Sequence, residues 1–220
     1  MPPSLIVFDL DGTLIDSAAD LAAAVNAMLA DYGCAPLPVP EVRRMIGDGV
    51  AMLVARALAA SHCERADPAE AARIFMRHYE ADATSLTTAF PGVAAALQTL
   101  RAAGIPLAVC TNKPARVAAG ILGSLGLAKY FARVIGGDSL PFRKPDPRAL
   151  LALVVAFAAG PDSTLLVGDS EVDAATAHAA GVPFVLMKHG YRRGPAEEIR
   201  CIAALENFAE LPSLVGEPKG

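Results

Sequence analysis

The hydrophobic positions of the chain change their spacing between its first third and the remainder. Residues 4–8 form a short, continuously apolar run that ends in acidic residues, which is typical of a central strand buried on both faces. From residue 16 to residue 83 the spacing predicts helices only. These helices cover residues 16–29, 41–60 and 68–83. Three prolines between residues 36 and 40 are expected to break the chain ahead of the second helix, and Gly47-Asp48-Gly49 interrupts it.

From Phe90 onward the pattern changes to a regular alternation of strands and helices. The predicted strands cover residues 105–110, 133–135, 164–167 and 183–187 with a short one near 202, and the predicted helices cover 91–103, 114–125, 147–159, 171–180 and 208–214. This alternation predicts an α/β fold with a doubly wound parallel sheet. We therefore expect a discontinuous α/β core, residues 1–15 and 85–220, interrupted by an all-helical insert of residues 16–84.

Composition and charge exclude several classes of protein. Of the 220 residues 54% are hydrophobic, and the formal net charge is only −4, whereas disorder needs low hydrophobicity and high net charge. The lack of a basic bias argues against a nucleic-acid partner. The longest apolar run, residues 149–159, is about half of the roughly 20 residues that cross a bilayer, so no membrane partner is expected. Residues 1–4 lack the basic start of a secretory signal, and we expect a cytoplasmic monomer or homodimer.

The cysteine and histidine positions predict neither a disulfide framework nor a histidine metal site. Cys34, Cys63, Cys110 and Cys201 lie far apart without a CxxC spacing, which is typical of free thiols in a reducing cytoplasm. The four histidines share no spacing typical of metal ligands.

Polar and charged side chains follow four of the predicted strands. In an open parallel sheet, ligands bind beyond the carboxyl ends of the strands, so these residues are expected to converge at one edge. The segments are Asp9, Asp11, Gly12 and Thr13 after the first strand, Thr111-Asn112-Lys113 after the second, Gly136-Gly137-Asp138 leading to Arg143-Lys144-Pro145 after the third, and Gly168-Asp169-Ser170 with Asp173 after the fourth. This convergence is a stronger signal than any one of the motifs.

The residue types at this edge suit phosphoryl transfer. Asp9, Asp11 and Asp169 place three carboxylates together, which is costly unless a cation lies among them, and a small set of oxygen ligands suits Mg²⁺. Lys144 and the Thr111 hydroxyl supply a charge and a donor for a phosphoryl dianion. An ionised aspartate can attack phosphorus, and a second acid can protonate the leaving alkoxide.

The same segments resemble the four motifs of the haloacid dehalogenase-like superfamily in its phosphatase form. The first motif corresponds to FDLDGTLIDS at residues 8–17, the second to Thr111, the third to Lys144 and the fourth to residues 168–173. Their order and spacing hold along essentially the whole chain, and the helical insert is similar to the cap of that family. Residues 111–114, 136–145, 189–191 and 46–50 resemble the bacterial phosphoglycolate phosphatases of this superfamily.

The resemblance implies roles for the acidic residues. Asp9 would be the nucleophile that forms an aspartyl-phosphate, and Asp11 the general acid and base. Mg²⁺ would be bound by the Asp9 carboxylate, the Asp11 backbone carbonyl and Asp169, with Asp173 supporting them.

It also implies how the substrate is held. Thr111, the Asn112 backbone and Lys144 would bind the phosphoryl group, Gly12-Thr13 would lie in a mobile turn, and the loop Gly47-Asp48-Gly49 would contact the leaving group. Asp48 departs from the neutral or basic residue that the resemblance leads us to expect. A carboxylate there is unfavourable beside an anionic leaving group unless it points away or pairs with a base such as Arg43 or Arg143.

Simpler structural interpretations exist for each residue. Asp9, Asp11, Asp169 and Asp173 could cap turns or helices, Thr111 could close a local turn, Lys144 could be a solvated charge, and residues 47–49 could be a plain break between helices. The preferred function is the Mg²⁺-dependent hydrolysis of a small phosphorylated metabolite, most simply 2-phosphoglycolate. A sugar-phosphate phosphatase or phosphomutase of the same fold is the alternative among enzymes, and a phospho-accepting receiver module is the alternative outside them.

Overall fold

A parallel sheet of six strands, in the order β5-β4-β1-β6-β7-β8, forms the centre of the computed structural model, which describes residues 2–216. A separate two-stranded antiparallel sheet pairs β2 with β3. The strands are β1 (Leu5–Phe8), β2 (Ile15–Asp16), β3 (Thr88–Ala89), β4 (Leu107–Cys110), β5 (Arg133–Ile135), β6 (Thr164–Gly168), β7 (Phe184–Met187) and β8 (Ala203–Leu205). The α/β parallel sheet that the sequence predicts is therefore confirmed.

The helices are α1 (Ala18–Asp31), α2 (Val39–Arg43), α3 (Val50–Ala60), α4 (Pro68–Ala81), α5 (Val93–Ala102), α6 (Ala115–Ser124), α7 (Arg148–Ala156), α8 (Glu171–Ala180) and α9 (Leu211–Val215). Within residues 2–216, none of the helices combines the length and the apolar character that crossing a bilayer requires. The predicted helix over 41–60 is two helices, and the first begins before Pro40, because proline is tolerated in the first turn of a helix.

The apolar run at the start of the chain forms the middle strand of the sheet. β1 pairs with β4 on one side and with β6 on the other. Successive side chains of a strand point to opposite faces: Ile6 and Phe8 join one hydrophobic cluster, and Leu5 and Val7 join the other. Both faces are covered, which explains why this strand is apolar at every position.

Helices α1 to α4 pack against one another, with α1 in contact with α2, α3 and α4. At the start of α4, the Asp67 carboxylate accepts a hydrogen bond from the backbone N–H of Glu70, and Pro68 occupies the first turn, as the sequence indicates. These helices are the predicted insert. Its treatment as a separate domain, residues 16–84, stays a prediction.

The short strands β2 and β3 were not predicted. They lie at the two points where the chain enters and leaves the helical insert, and they pair Ile15 with Ala89 and Asp16 with Thr88. Helix α1 consequently begins at Ala18 rather than at residue 16. A strand of two residues is too short to show a period of two, so its existence depends on the pairing partner.

The prediction of four free thiols is wrong for two of the cysteines. Cys34, which follows α1, and Cys63, which follows α3, are joined by a disulfide with their Cα atoms 5.8 Å apart. Cys110 and Cys201 carry free thiols. Sequence spacing could not reveal the pair, because only the packing of the helices brings together residues 29 positions apart. Since disulfides are typical of oxidising compartments, the argument from free thiols to a reducing cytoplasm no longer holds.

Candidate active site

The candidate site lies at the carboxyl ends of β1, β4 and β6. The chain passes from β1 to β4 and β5 on one side and then to β6, β7 and β8 on the other, so the strand order reverses at β1. Ligands bind at such a point in open α/β sheets. The predicted site residues that the structure brings together here are Asp9, Asp11, Thr111, Asn112, Lys144, Asp169 and Asp173.

Three buried carboxylates, those of Asp9, Asp169 and Asp173, form the centre of the site. One oxygen of each lies within 4.8 Å of an oxygen of the other two. The Lys144 ammonium donates to the carboxylates of Asp9, at 2.7 Å, and Asp173, at 2.6 Å. Lys144 is itself buried, so the interpretation of this residue as a solvated surface charge is wrong.

The electrostatics of this cluster favour a bound cation. Burial raises the pKa of Asp9 to about 7, although Lys144 opposes the increase, and Asp173 adds to it. Burial also raises the pKa of Asp169 well above its usual range, with further contributions from Asp173 and Asp9. The single positive charge of Lys144 therefore does not compensate the negative charges of three ionised carboxylates. Because the donors are all carboxylate oxygens and few in number, the cluster fits Mg²⁺.

The Asp169 carboxylate is held from two sides. The Thr13 hydroxyl donates to it at 2.6 Å, and the backbone N–H of Tyr191 donates to it at 2.7 Å. Two glycines make room for this side chain: a Cβ at Gly190 would lie 2.1 Å from the Asp169 Cβ, and one at Gly12, whose φ is +84°, would lie 2.4 Å from its Oδ2. The carboxylate is thus packed so closely that its position is strongly restricted.

Asp173 has a structural role as well as its place in the cluster. Its carboxylate accepts from the backbone N–H groups of Asp169, at 3.2 Å, and Ser170, at 3.1 Å, at the start of α8. It also accepts a hydrogen bond from the Lys144 ammonium. The capping interpretation is therefore confirmed for Asp173, and its contact with Lys144 connects the helix end to the cluster.

Asp11 pairs with a lysine of its own, Lys113, for which the sequence predicts no role. The Lys113 ammonium donates to both oxygens of the Asp11 carboxylate, at 2.8 and 2.9 Å, and the Ser17 hydroxyl donates to one of them. Burial alone would lower the pKa of Lys113, but Asp11 raises it above its usual value, which keeps the amine charged. Its position directly after β4, beside Thr111 and Asn112, is the signal that could have identified it.

Thr111 and Asn112 make contacts that differ in kind. The Thr111 hydroxyl accepts from the backbone N–H of Lys113 at 3.2 Å, which confirms the local turn. The Asn112 side-chain amide donates at 2.9 Å to the backbone carbonyls of Gly47 and Lys144. Asn112 therefore links the loop at residues 47–49 of the helical insert to the loop that carries Lys144.

Asp48 pairs with bases, but not with those that the sequence suggests. It forms ion pairs with Arg56 of α3, at 2.5 Å, and with Arg193 of the loop after β7. Arg43 instead donates to Asp16 at 2.9 Å. Because two arginines neutralise Asp48, its carboxylate is no longer an electrostatic objection to an anionic leaving group.

A cavity of about 40 Å³ lies between the acidic cluster and the helical insert. Asp9, Asp11 and the segment 111–114 line it from the core. The apolar side chains that line it from the insert are Leu21, Ile46, Val50, Leu53 and Phe75, together with the ring of Tyr79. The cavity is therefore polar and charged on the side of the core and apolar on the side of the insert.

A family model described as haloacid dehalogenase-like hydrolase matches residues 6–187 of the chain. The chain is 48% identical over 213 residues to a curated phosphoglycolate phosphatase of Cereibacter sphaeroides, with 96% of each chain covered. It is 45% identical over 223 residues to the one of Rhodospirillum rubrum, with 99% of this chain and 92% of that protein covered.

The fold is similar to solved structures as well. A crystal structure described as a predicted phosphoglycolate phosphatase from Haemophilus somnus 129PT superposes with a TM-score of 0.92 at 32% identity, covering 96% of this chain and 97% of the other. A second, described as a putative phosphoglycolate phosphatase from Lactobacillus delbrueckii subsp. bulgaricus, has a TM-score of 0.89 at 26% identity, covering 99% of this chain and 100% of the other.

Proposed function

Because the chain belongs to the haloacid dehalogenase-like hydrolase family, we propose that it is a phosphomonoesterase that hydrolyses 2-phosphoglycolate to glycolate and inorganic phosphate. The observation that carries this proposal is the buried Asp9 carboxylate beside Lys144, next to a second acid and lysine pair formed by Asp11 and Lys113. The relatives named phosphoglycolate phosphatase, at 48% and 45% identity, support the choice of substrate.

Asp9 is the nucleophile in this mechanism. One of its carboxylate oxygens forms a bond to phosphorus while the bond between phosphorus and the ester oxygen breaks, which produces an aspartyl-phosphate. Lys144, 2.7 Å from the Asp9 carboxylate, is placed to attract the oxygens of the incoming phosphoryl group. The Thr111 hydroxyl and the Asn112 backbone lie at the same strand end and would bind those oxygens as well.

Asp11 is the general acid and general base in this mechanism. In its protonated form it gives its proton to the leaving alkoxide, and as a carboxylate it then accepts a proton from the water that attacks the aspartyl-phosphate. That attack releases inorganic phosphate and restores the Asp9 carboxylate. Lys113 and Ser17 orient the Asp11 side chain through their hydrogen bonds.

Phosphatases of this family generally use Mg²⁺, and the donor set of this site fits that ion. The Asp9 carboxylate, the Asp11 backbone carbonyl and the Asp169 carboxylate would hold it. Asp173 would support the site indirectly, because it binds Lys144 and the start of α8. When bound, Mg²⁺ neutralises negative charge on the phosphoryl oxygens.

The apolar side chains that line the cavity from the helical insert favour a small substrate over the alternative, a sugar-phosphate phosphatase or phosphomutase, because they offer no partners to the hydroxyls of a sugar. The helical insert that closes the cavity also argues against a receiver module, which has no such insert over its phosphorylation site.

Replacing the nucleophile tests the proposal. With Mg²⁺, the wild-type protein is expected to release phosphate from 2-phosphoglycolate, and Asp9→Asn to reduce the rate more than about a thousandfold, because an amide cannot attack phosphorus. EDTA is expected to abolish the wild-type activity. Asp146→Asn is the matched control, since Asp146 pairs with Arg148 outside the site.

Full activity of Asp9→Asn, measured as inorganic phosphate released, would contradict the mechanism. Faster release from hexose phosphates than from 2-phosphoglycolate would instead favour the alternative substrate class and leave the role of Asp9 intact.

A further inference from the structure

The Tyr79 hydroxyl is a buried polar group whose proton has no acceptor among the described residues. Tyr79 belongs to α4 of the helical insert and is 1% exposed, and it lines the cavity that Asp9 and Asp11 line from the core. A buried hydroxyl is nearly always paired, because an unpaired one has lost its hydrogen bonds to water without replacement. An unpaired donor beside the reacting groups therefore needs an explanation.

Lys113 brings a positive charge to the same cavity. Its ammonium lies 4.8 Å from the centre of the Tyr79 ring and is buried. Two of its three hydrogens form hydrogen bonds with the Asp11 carboxylate, which leaves one hydrogen for another acceptor. Burial raises the pKa of Tyr79 to about 12, so the phenol keeps its proton and acts as a donor.

We propose that the Tyr79 hydroxyl and the Lys113 ammonium form a subsite for a carboxylate on a small leaving group. The inference rests on the proposed function and deepens it, since it states how the leaving group is recognised. A carboxylate offers acceptor oxygens to the Tyr79 hydroxyl and to the ammonium hydrogen of Lys113 that Asp11 does not take. The Tyr79 hydroxyl acts as a specificity determinant supplied by the helical insert.

The walls of the cavity restrict the chemistry of the leaving group. Leu21, Leu53 and Phe75 are apolar and offer no partner to the hydroxyls of a sugar. A leaving group whose polar end is a carboxylate, one carbon away from the ester oxygen, needs no partner on this side of the cavity.

The Asn112 side chain suggests a different leaving group for the same cavity, one that carries a hydroxyl instead of a carboxylate. Its side-chain oxygen Oδ1 is also buried and has no partner among residues 2–216, and as an amide oxygen it can only accept. A carboxylate cannot satisfy it, whereas a hydroxyl on the leaving group could. The subsite therefore predicts that a carboxylate is preferred over a hydroxyl at the same position of the substrate.

Tyr79→Phe is the informative variant, because it removes only the unpaired hydroxyl and leaves the ring in place. We expect the ratio of kcat/KM for 2-phosphoglycolate to that for ethyl phosphate to decrease about tenfold or more. Tyr32→Phe is the matched control: the Tyr32 hydroxyl is also buried and unpartnered within the described chain, but Tyr32 does not line the cavity. In this variant the ratio should equal that of the wild type.

A binding measurement separates this inference from catalysis. We expect the wild-type protein to bind 3-phosphonopropionate about tenfold or more tightly than propylphosphonate, which lacks the carboxylate, and Tyr79→Phe to lose most of that preference. Neither phosphonate can be hydrolysed, so titration calorimetry reports recognition alone.

The outcomes of the two measurements are distinguishable. Equal ratios in Tyr79→Phe, Tyr32→Phe and the wild type would overturn the subsite, as would faster turnover of 2-hydroxyethyl phosphate than of 2-phosphoglycolate by the wild type. If the wild-type protein releases no phosphate from any of the three esters, the proposed function fails, and the phosphonate affinities still decide whether the subsite exists.

Discussion

At the scale of single residues, each of the two acids in the first motif forms an ion pair with a different lysine. Asp9 is bound to Lys144, which also holds Asp173, while Asp11 is bound to Lys113. The two carboxylates therefore have different surroundings although they are two positions apart in the chain. This difference is consistent with one acting as nucleophile and the other in proton transfer.

Close packing around Asp169 leads to a prediction at the same scale. Gly190→Ala would place a Cβ 2.1 Å from the Asp169 Cβ, so either the loop or the carboxylate must move. We expect the free energy of unfolding to decrease by about 1–3 kcal/mol and phosphate release to decrease about a hundredfold. Chemical denaturation and the phosphate assay measure the two effects.

Gly120→Ala is the control for this substitution. Gly120 lies within α6, and a Cβ there meets no atom within 4 Å. Because alanine favours helix more than glycine does, the control is expected to be as stable as the wild type or up to about 1 kcal/mol more stable. Wild-type activity in Gly190→Ala would show that the position of Asp169 is not restricted in this way.

At the scale of secondary-structure elements, the helical insert is connected to the core by polar contacts that converge on the loop between α2 and α3. The Asn112 amide binds the Gly47 carbonyl, and Asp48 pairs with Arg193. The loop is therefore more than a break between helices, because it is the part of the insert that contacts the segment after β4. The insert supplies the walls of the cavity, and the core supplies its charged groups.

The disulfide between Cys34 and Cys63 joins the ends of α1 and α3 within this insert. Closing a loop of 29 residues restricts the unfolded chain, so a dithiol reductant is expected to lower the free energy of unfolding by about 3–4 kcal/mol. Chemical denaturation with and without the reductant measures the change. The double variant Cys34→Ser with Cys63→Ser should be insensitive to the reductant, while Cys201→Ser should respond as the wild type does. A wild-type protein that is unaffected by complete reduction would contradict the prediction.

At the scale of the whole molecule, the buried acids are expected to couple stability to pH and to Mg²⁺. Asp9 has a pKa of about 7 in the folded protein, above its ordinary value of 3.8, so the folded state holds this proton more tightly than the unfolded state does. Its contribution to stability is fully present below about pH 4 and is lost as the pH rises through about 7. For Asp9 alone the change is on the order of 4 kcal/mol.

Mg²⁺ is therefore expected to stabilise the protein more at high pH than at low pH. In EDTA the free energy of unfolding should decrease between about pH 5 and about pH 8, and saturating Mg²⁺ should offset the loss at the higher pH, because the metal binds ionised carboxylates. Thermal unfolding at both pH values, with EDTA or with Mg²⁺, measures this effect. Asp169→Asn should reduce the response to Mg²⁺, and an equal response at both pH values would contradict the coupling.

Particular residues show how far the sequence alone can predict this protein. The apolar run of β1, the alternation from residue 90 onward and the acids at the strand ends were sufficient to predict the parallel sheet and the cluster around Asp9, because periodicity and strand polarity are local properties. The pairing of β2 with β3, the disulfide and the contact of Asp48 with Arg193 were not predictable in this way, since each joins segments far apart in the chain.

The sequence by itself determined which residues stand at the end of each strand, and so which chemical groups can meet at one edge of the sheet. Only the tertiary structure decided how they are paired: Lys113 with Asp11, Lys144 between Asp9 and Asp173, and the Tyr79 hydroxyl with no partner within residues 2–216. The physical reason is that burial and distance, which set the strength of a charge or a hydrogen bond, depend on segments that meet only when the helical insert packs against the core.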